Sequence, residues 1–429
     1  MSSCRRQQHL VQHLASAAPA AGAGGQDNEK KVDDVWSVDD LPEPTTTEHS
    51  IPLGEDTLSY EATAGLLPIV LSEADGASGS MFFVAYTMDS TGDPATRPLT
   101  FCFNGGPGSA SVWLHLGGLG PKRVALLNDG GMPPPPYHLV DNEHTWLPKT
   151  DLVFVDAMGT GFSRPKTQDD GAKFWGTAED LDAFTEFIRC YIGKYRRWLS
   201  PLYLAGESYG TFRAAGLASQ ALQVAGIAFQ GIMLISSVLS FQTLWDPISA
   251  NQLPSLTFIP TYTATAWYHG ALVPELQSQP LRLVLDEVEE WCLTVYASVL
   301  AKGEARLTAQ ERAEVVTALA RYTGLSEEFI VASNLRVDDS KYRKELLRRP
   351  LKQGSATVEG ESVGSPAALG GRRTVGRLDS RYIGVDKDAA GESMEFDPAM
   401  VATSPVFVAC FNDYIVRELN YDSGGRRCK

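Results

Sequence analysis

Positive charge is scarce in this 429-residue chain. Lys and Arg number 37 against 52 Asp and Glu, a net charge of −15, and there is no basic run. Phosphate neutralisation needs clustered Lys and Arg, so no nucleic-acid partner is expected. No window approaches 18 uninterrupted apolar residues, so no membrane span is expected either. Cys4, Cys102, Cys190, Cys292, Cys410 and Cys428 form neither a C-x-x-C pair nor a zinc spacing. Cys102 in a strand-like run, and Cys190 and Cys292 on helical faces, are expected as buried free thiols. The absence of an N-x-[ST] sequon disfavours a glycosylated secretory protein. No metal cluster, phosphate loop or dinucleotide fingerprint is present, and no cofactor is expected. What remains is ordinary globular composition, 43% hydrophobic and 21% charged. It excludes a wholly disordered, collagen-like or coiled-coil chain.

Residues 1–45 read as a disordered leader. Arg5 and Arg6 before a weak apolar stretch also fit a poor signal peptide, which would send the chain to a secreted or periplasmic location rather than the cytoplasm. Residues 46–240 read as the first part of an α/β core. Ile69–Leu71 and Phe82–Tyr86 look like antiparallel strands. Leu99–Phe103 and Leu152–Val155 are short apolar strands, the latter suited to a parallel sheet. A helix with Leu181, Phe184, Ile188 and Tyr191 on one face follows a capping-box-like pair, Thr177 and Asp180. Strands at 202–205 and 232–235 continue the alternation of strand and helix, the pattern of a parallel α/β sheet. Residues 241–400 read as a helical cap. One long helix carries Leu281, Leu285, Val288, Cys292, Val295 and Val299 on a single face; a second covers about 308–322. Within the cap, 353–371 is rich in Gly, Ser and Ala and reads as a disordered insertion. Residues 401–429 begin a return to the core.

Gly206-Glu207-Ser208-Tyr209-Gly210 follows the 202–205 strand and precedes a helix-compatible stretch. This is G-x-S-x-G in the strand–turn–helix setting that makes it a nucleophile elbow. The turn strains the serine backbone, and side chains at the flanking glycines would collide. At the end of strand 99–103 lies Asn104-Gly-Gly-Pro-Gly108, a loop able to aim backbone N–H groups into a cavity. A tetrahedral intermediate needs two such donors, each typically worth ~3 kcal/mol. The amide of Tyr209 and the amide of Gly106 are the candidates.

Taken together, NGGPGS (104–109), LGP (119–121), GTGFS (159–163), GESYG (206–210) and NDY (412–414) give the chain a resemblance to the serine carboxypeptidases, α/β-hydrolases with a helical cap. The likeness runs from about residue 40 to 421. It implies Ser208 as acyl-forming nucleophile and Gly106 and Tyr209 as the oxyanion hole. It implies Asn104 and Gly105 as the grip on the substrate's terminal carboxylate, with Glu207 sharing a proton there. A carboxyl beside an anionic group holds its proton more tightly, which suits acid pH. Two positions depart from the family pattern. Gly118 stands where the family often has Glu, and Ser109 where disulfide-bonded relatives have Cys.

A serine needs a base, and hydrolase order places an acid and then a histidine after the nucleophile. Of His9, His13, His49, His115, His138, His144 and His269, only His269 follows Ser208, with Asp246 the one carboxylate between. Only one strand separates Ser208 from His269, too few for a triad, and the run from Thr261 to His269 reads as an aromatic-packed cap helix. His269 is therefore expected to be a packing residue. In the family the triad Asp and His come well after NDY. They are expected to be missing from this chain along with the last strands, leaving it prone to aggregate. The leading expectation is a serine carboxypeptidase, releasing C-terminal residues of peptides or proteins through an acyl-enzyme. The alternatives are a catalytically incomplete remnant or carboxylate-binding module, and an acyltransferase or esterase on the same scaffold.

Overall fold

The computed structural model describes residues 41–71, 78–89, 92–128, 130–244, 251–348, 373–387, 391 and 393–422. The leader up to Asp40, Asp246 and the 353–371 insertion lie outside the described residues. The chain divides into two units. The first holds the described residues up to Ala125, then Tyr137–Leu239 and those from Ala409 onward; the second holds Leu126–Pro136 and Ser240–Val408.

The first unit is built on one mixed sheet. Its strands are β1 (Thr45–Leu53), β2 (Asp56–Val70), β3 (Ser78–Met88) and β4 (Leu99–Phe103), followed, after the separate ribbon of β5 (Lys122–Val124) and β6 (Leu139–Asp141), by β7 (Asp151–Val155), β8 (Arg164–Pro165), β9 (Leu202–Glu207) and β10 (Phe229–Ile235). The order is β1-β2-β3-β7-β4-β9-β10, with β8 paired to β3. β1, β2, β3 and β7 run antiparallel in turn; β7, β4, β9 and β10 are parallel. β4 and β7 are buried along their whole length, as central strands covered on both faces must be. β1, by contrast, starts at Thr45, inside the expected leader. In its sequence TTTEHSIPL the first six residues alternate between half-buried and exposed, which suits an edge. An antiparallel meander leading into a parallel half, with a G-x-S-x-G strand-to-helix turn after β9, is the α/β-hydrolase fold.

Two helices back the parallel half. α1 (Thr177–Lys194) buries Leu181, Phe184, Ile188 and Tyr191 as its periodicity predicts. Phe187 and Tyr191 meet Phe83 and Phe101 edge to face. The expected capping box does not form. Gly176 is the N-cap, and the Asp180 carboxylate is taken instead by Arg213 of α2 (Tyr209–Ala225).

The second unit is helical around its own core. It contains α3 (Ile259–Tyr268), α4 (Leu281–Trp291) and α5 (Ala309–Thr323). α4 continues through a wide π turn, Cys292–Tyr296, before the helix resumes to Lys302. The buried face is Val284, Val288, Cys292, Tyr296, Val299 and Leu300; Val288, Cys292 and Val299 are as expected, while Leu281 and Leu285 are only half-buried. Val295, expected on that face, is exposed, and Tyr296 takes its place with its hydroxyl bonded to the carbonyl of Leu335. α5 opens with a true capping box, Thr308 and Glu311. Cys102, Cys292 and Cys410 are buried free thiols; Cys190 is half-buried.

α6 (Pro398–Arg417) is, among the described residues, the one helix long and apolar enough to cross a bilayer by length and composition. Its Phe411, Tyr414 and Ile415 are buried, with the Phe411 ring against Phe82 and His115. The exposed side carries an Asp413–Arg417 ion pair.

Candidate functional site

The parallel half of the sheet delivers two loops side by side. β9 ends at Glu207, α2 begins at Tyr209, and Ser208 lies between them at φ 58°, ψ −123°. Such a conformation costs a non-glycine residue about 1–3 kcal/mol and survives only where its surroundings enforce it. They do so here on both sides. The Ser208 N–H donates to the Ile235 carbonyl at 3.0 Å, and the Ser208 carbonyl accepts from the Thr211 N–H at 2.9 Å and from the Thr211 hydroxyl at 2.7 Å. That hydroxyl in turn accepts from the Val238 N–H at 2.8 Å. The hydroxyl of Ser208 itself meets no hydrogen-bond partner among the described residues.

The Asn104–Ser109 loop lies directly against this elbow, backbone on backbone. A Cβ on Gly105 would stand 2.4 Å from the Tyr209 nitrogen, and one on Gly210 would stand 2.7 Å from the Phe103 carbonyl oxygen. Asn104 is buried with its amide orientation fixed. Oδ1 accepts from the Leu114 N–H at 2.9 Å, and Nδ2 donates to Glu207 Oε2 at 2.5 Å. An acceptor facing an N–H and a donor facing a carboxylate leave one assignment of the amide. Gly106 has φ +108°. Among the described residues no protein group accepts from the N–H of Gly105 or Gly106. The Tyr209 amide opens α2, and a helix has no carbonyl of its own to offer its first amides. Asn104, Gly105, Gly106, Glu207, Ser208 and Tyr209 thus converge in the first unit.

One residue at this site was not legible in sequence. Arg213 is fully buried one turn into α2. Its Nε and Nη2 meet the two oxygens of Asp180 at 2.8 and 3.1 Å, and its Nη1 donates to the Asn104 carbonyl at 2.8 Å. The guanidinium lies over the Phe184 ring at 4.4 Å. The available signal was an arginine on the otherwise apolar inner face of a helix.

The remaining motifs brace the loops. Asp156, at the end of β7, accepts from the Ser111 N–H at 2.8 Å, and Ser163 of GTGFS bridges the Asp156 carbonyl and the Phe82 N–H, both at 2.8 Å. Burial pushes the Asp156 carboxyl up to about 6, against the pull of the Ser111 and Phe162 amides and of Arg164. In the LGP segment the Gly118 and Gly120 carbonyls accept from Asn142 Nδ2 at 2.8 and 2.7 Å. Tyr414 of NDY reaches the Tyr86 hydroxyl at 3.1 Å.

Neither of the two more enclosed histidines has a free ring. His115 is buried, stacked on Phe154, with Nε2 2.5 Å from the Tyr86 hydroxyl, and burial pushes it down to about 3. His269 ends α3, with Nε2 2.7 Å from the Ser380 carbonyl, and burial lowers its pKa. The geometry of His269 is that of a packing residue.

The serine carboxypeptidase family model matches residues 52–276, more than half of the chain. The chain belongs to the serine carboxypeptidase family. Among its curated relatives, the pheromone-processing carboxypeptidase KEX1 of Saccharomyces cerevisiae is 35% identical over 156 residues, 34% of this chain and 20% of the yeast protein. Serine carboxypeptidase-like 16 of Arabidopsis thaliana is 30% identical over 165 residues, 37% of this chain and 34% of the plant protein. The solved structure of KEX1(delta)p, a prohormone-processing carboxypeptidase from Saccharomyces cerevisiae, is similar at 25% identity and a TM-score of 0.37, covering 62% of this chain and 53% of that one. The chain therefore spans about a third or less of the length of these curated relatives. Both site loops, 104–109 and 206–210, fall inside the matched residues.

Proposed function

We propose that the two loops are the acyl-transfer and carboxylate-binding half of a serine carboxypeptidase acting on peptide or protein C-termini. In this reading the Ser208 hydroxyl attacks the carbonyl of the last peptide bond. The developing oxyanion is held by the amides of Gly106 and Tyr209; its collapse breaks the peptide C–N bond, the amine leaves with the proton the serine gave up, and water then hydrolyses the acyl-enzyme, returning a proton to Ser208. The substrate's terminal carboxylate is held by the Asn104 amide and the Gly105 N–H. Glu207 joins through its bond to Asn104, where a proton on either carboxyl lets the pair hydrogen-bond rather than repel.

The observation that carries the reading is the strained φ of Ser208 at the strand-to-helix junction, with a glycine backbone pressed on the amide after it. A turn with no chemical task has no need of that cost. Family membership supports the same reading. A second reading, a carboxylate-binding module without turnover, is favoured by one observation: among the described residues no histidine bonds the Ser208 hydroxyl.

The test is release of the C-terminal residue from short peptides, compared with Ser208→Ala. A carboxypeptidase cleaves only the free-carboxylate peptide, and Ser208→Ala lowers turnover at least about 10³-fold with substrate binding nearly unchanged. Binding without turnover in both chains selects the module. Turnover of esters alone points to an esterase or acyltransferase. Turnover that survives in Ser208→Ala refutes the nucleophile assignment.

A further inference from the structure

We infer that Arg213 is a positioning residue for carboxylate recognition, acting through the Asn104–Gly105 peptide. The inference rests on the carboxypeptidase reading above and adds to it the device that aims one of its donors.

Arg213 makes no hydrogen bond to Ser208. It meets the loop at one atom, the Asn104 carbonyl oxygen, at 2.8 Å. That carbonyl and the Gly105 N–H belong to the same trans peptide. A trans peptide is a rigid plane whose C=O and N–H point in opposite directions. Fixing the oxygen on the buried side therefore fixes the N–H on the other side. The N–H so fixed has no protein acceptor among the described residues, and it belongs to the loop that packs against the start of α2.

The guanidinium is itself held against turning. Asp180 takes two of its N–H groups, one on each oxygen, at 2.8 and 3.1 Å. The Phe184 ring lies 4.4 Å beneath the planar group, with Phe103 and Tyr209 rings each at 5.4 Å. The planar fork of arginine can satisfy a carboxylate with two N–H groups and still direct a third at fixed angle to a carbonyl. A lysine ammonium in its place keeps a positive charge for Asp180 but has no such fork.

A buried ion pair is by itself weak evidence of a gain in stability. One whose third arm holds the peptide plane of a ligand-binding loop has a specific task. The loop's other fixed point is the Asn104 side chain, held by Leu114 and Glu207. With both in place, the donors on either side of the Asn104 α-carbon are set without using their own free valences.

The experiment measures binding of a short apolar peptide with a free C-terminal carboxylate, and of the same peptide amidated, to the full chain carrying Ser208→Ala. Arg213→Lys and Asp180→Asn are then added singly, with circular dichroism as the check on folding. The expected result is that the parent prefers the carboxylate form. Arg213→Lys should weaken that form about tenfold while the amidated peptide changes less than twofold, the loss of one well-aimed hydrogen bond to a charged group. Asp180→Asn, which leaves the guanidinium in place but loosens it, should show a smaller loss of the same kind. A parent without preference for the carboxylate overturns the underlying reading itself. A parent that prefers it, with either folded variant retaining the full preference or weakening both peptides equally, overturns the role of Arg213 alone. If Arg213→Lys does not fold, Asp180→Asn decides.

Discussion

Gly105 is where the two halves of the site touch, and its missing side chain is the condition for that contact. The atom a Cβ would strike at 2.4 Å is a backbone nitrogen, which cannot swing aside as a side-chain tip can. Gly105→Ala is expected to destabilise the fold by about 3 kcal/mol, at the top of the usual range for single substitutions, and to abolish any preference for a free C-terminus. Urea denaturation and the peptide-binding comparison check the two parts separately. Asp156 carries a second prediction. Its folded-state carboxyl is raised to about 6, chiefly by burial, so the folded state holds the proton more firmly than the unfolded chain does. The associated stability is full below about pH 4 and is lost as pH rises through about 6. Asp156→Asn cannot ionise, and its oxygen can still accept from Ser111. Its stability relative to the parent should therefore rise by roughly 3 kcal/mol between pH 4 and pH 7. A difference that stays constant across that range would show that Asp156 does not titrate in the fold.

Among the elements, the buried central strands were legible, and so was β10 at the edge of the sheet, from its apolar run Ile232–Ile235. β4 and β7 are buried at every position and β9 at all but Tyr203 and Glu207, so each is dominated by apolar residues. β1 escaped notice for the opposite reason: TTTEHSIPL has one face against the sheet and a polar edge outside, and shows no apolar run. The helices were legible by periodicity, yet periodicity assumes a regular turn. At the π turn Cys292–Tyr296 the wider winding leaves Val295 exposed and Tyr296 buried, while Val299 beyond it keeps its expected place. The capping box at Thr177 failed because Asp180 has a stronger partner in a helix 29 residues further on, and local sequence carries no record of a tertiary ion pair. β10 carries this scale's prediction. Among the described residues its outer edge has no strand partner, and Ile232 is 38% exposed. An apolar edge strand is a template for pairing with other chains. Ile232→Lys should leave stability within about 0.5 kcal/mol and raise the soluble yield on refolding at least about twofold, read by light scattering. Unchanged scattering would mean that the edge is not where aggregation starts.

Across the whole molecule, each unit closes its own apolar core. One lies around Phe83, Phe101 and Phe187, the other around Tyr262, Leu319 and Tyr342. The site lies in the first unit, and its outline was readable there because glycine-rich motifs mark places where backbone must approach backbone. Its inner support was not readable, since Arg213 reaches Asp180 and the Asn104 carbonyl across 33 and 109 residues, distances that no motif spans. The strained serine has one more consequence, and it concerns folding rather than chemistry. A native protein is stable by only about 5–15 kcal/mol, so the ~1–3 kcal/mol held in the Ser208 backbone is a visible share of the total. Glycine adopts that backbone conformation without strain. Ser208→Gly should therefore melt later than the parent and raise the urea midpoint, whereas Ser208→Ala, which keeps the Cβ, should not. On this view the loop is in tension with the fold that carries it: the serine proposed as nucleophile is one the folded chain would be more stable without.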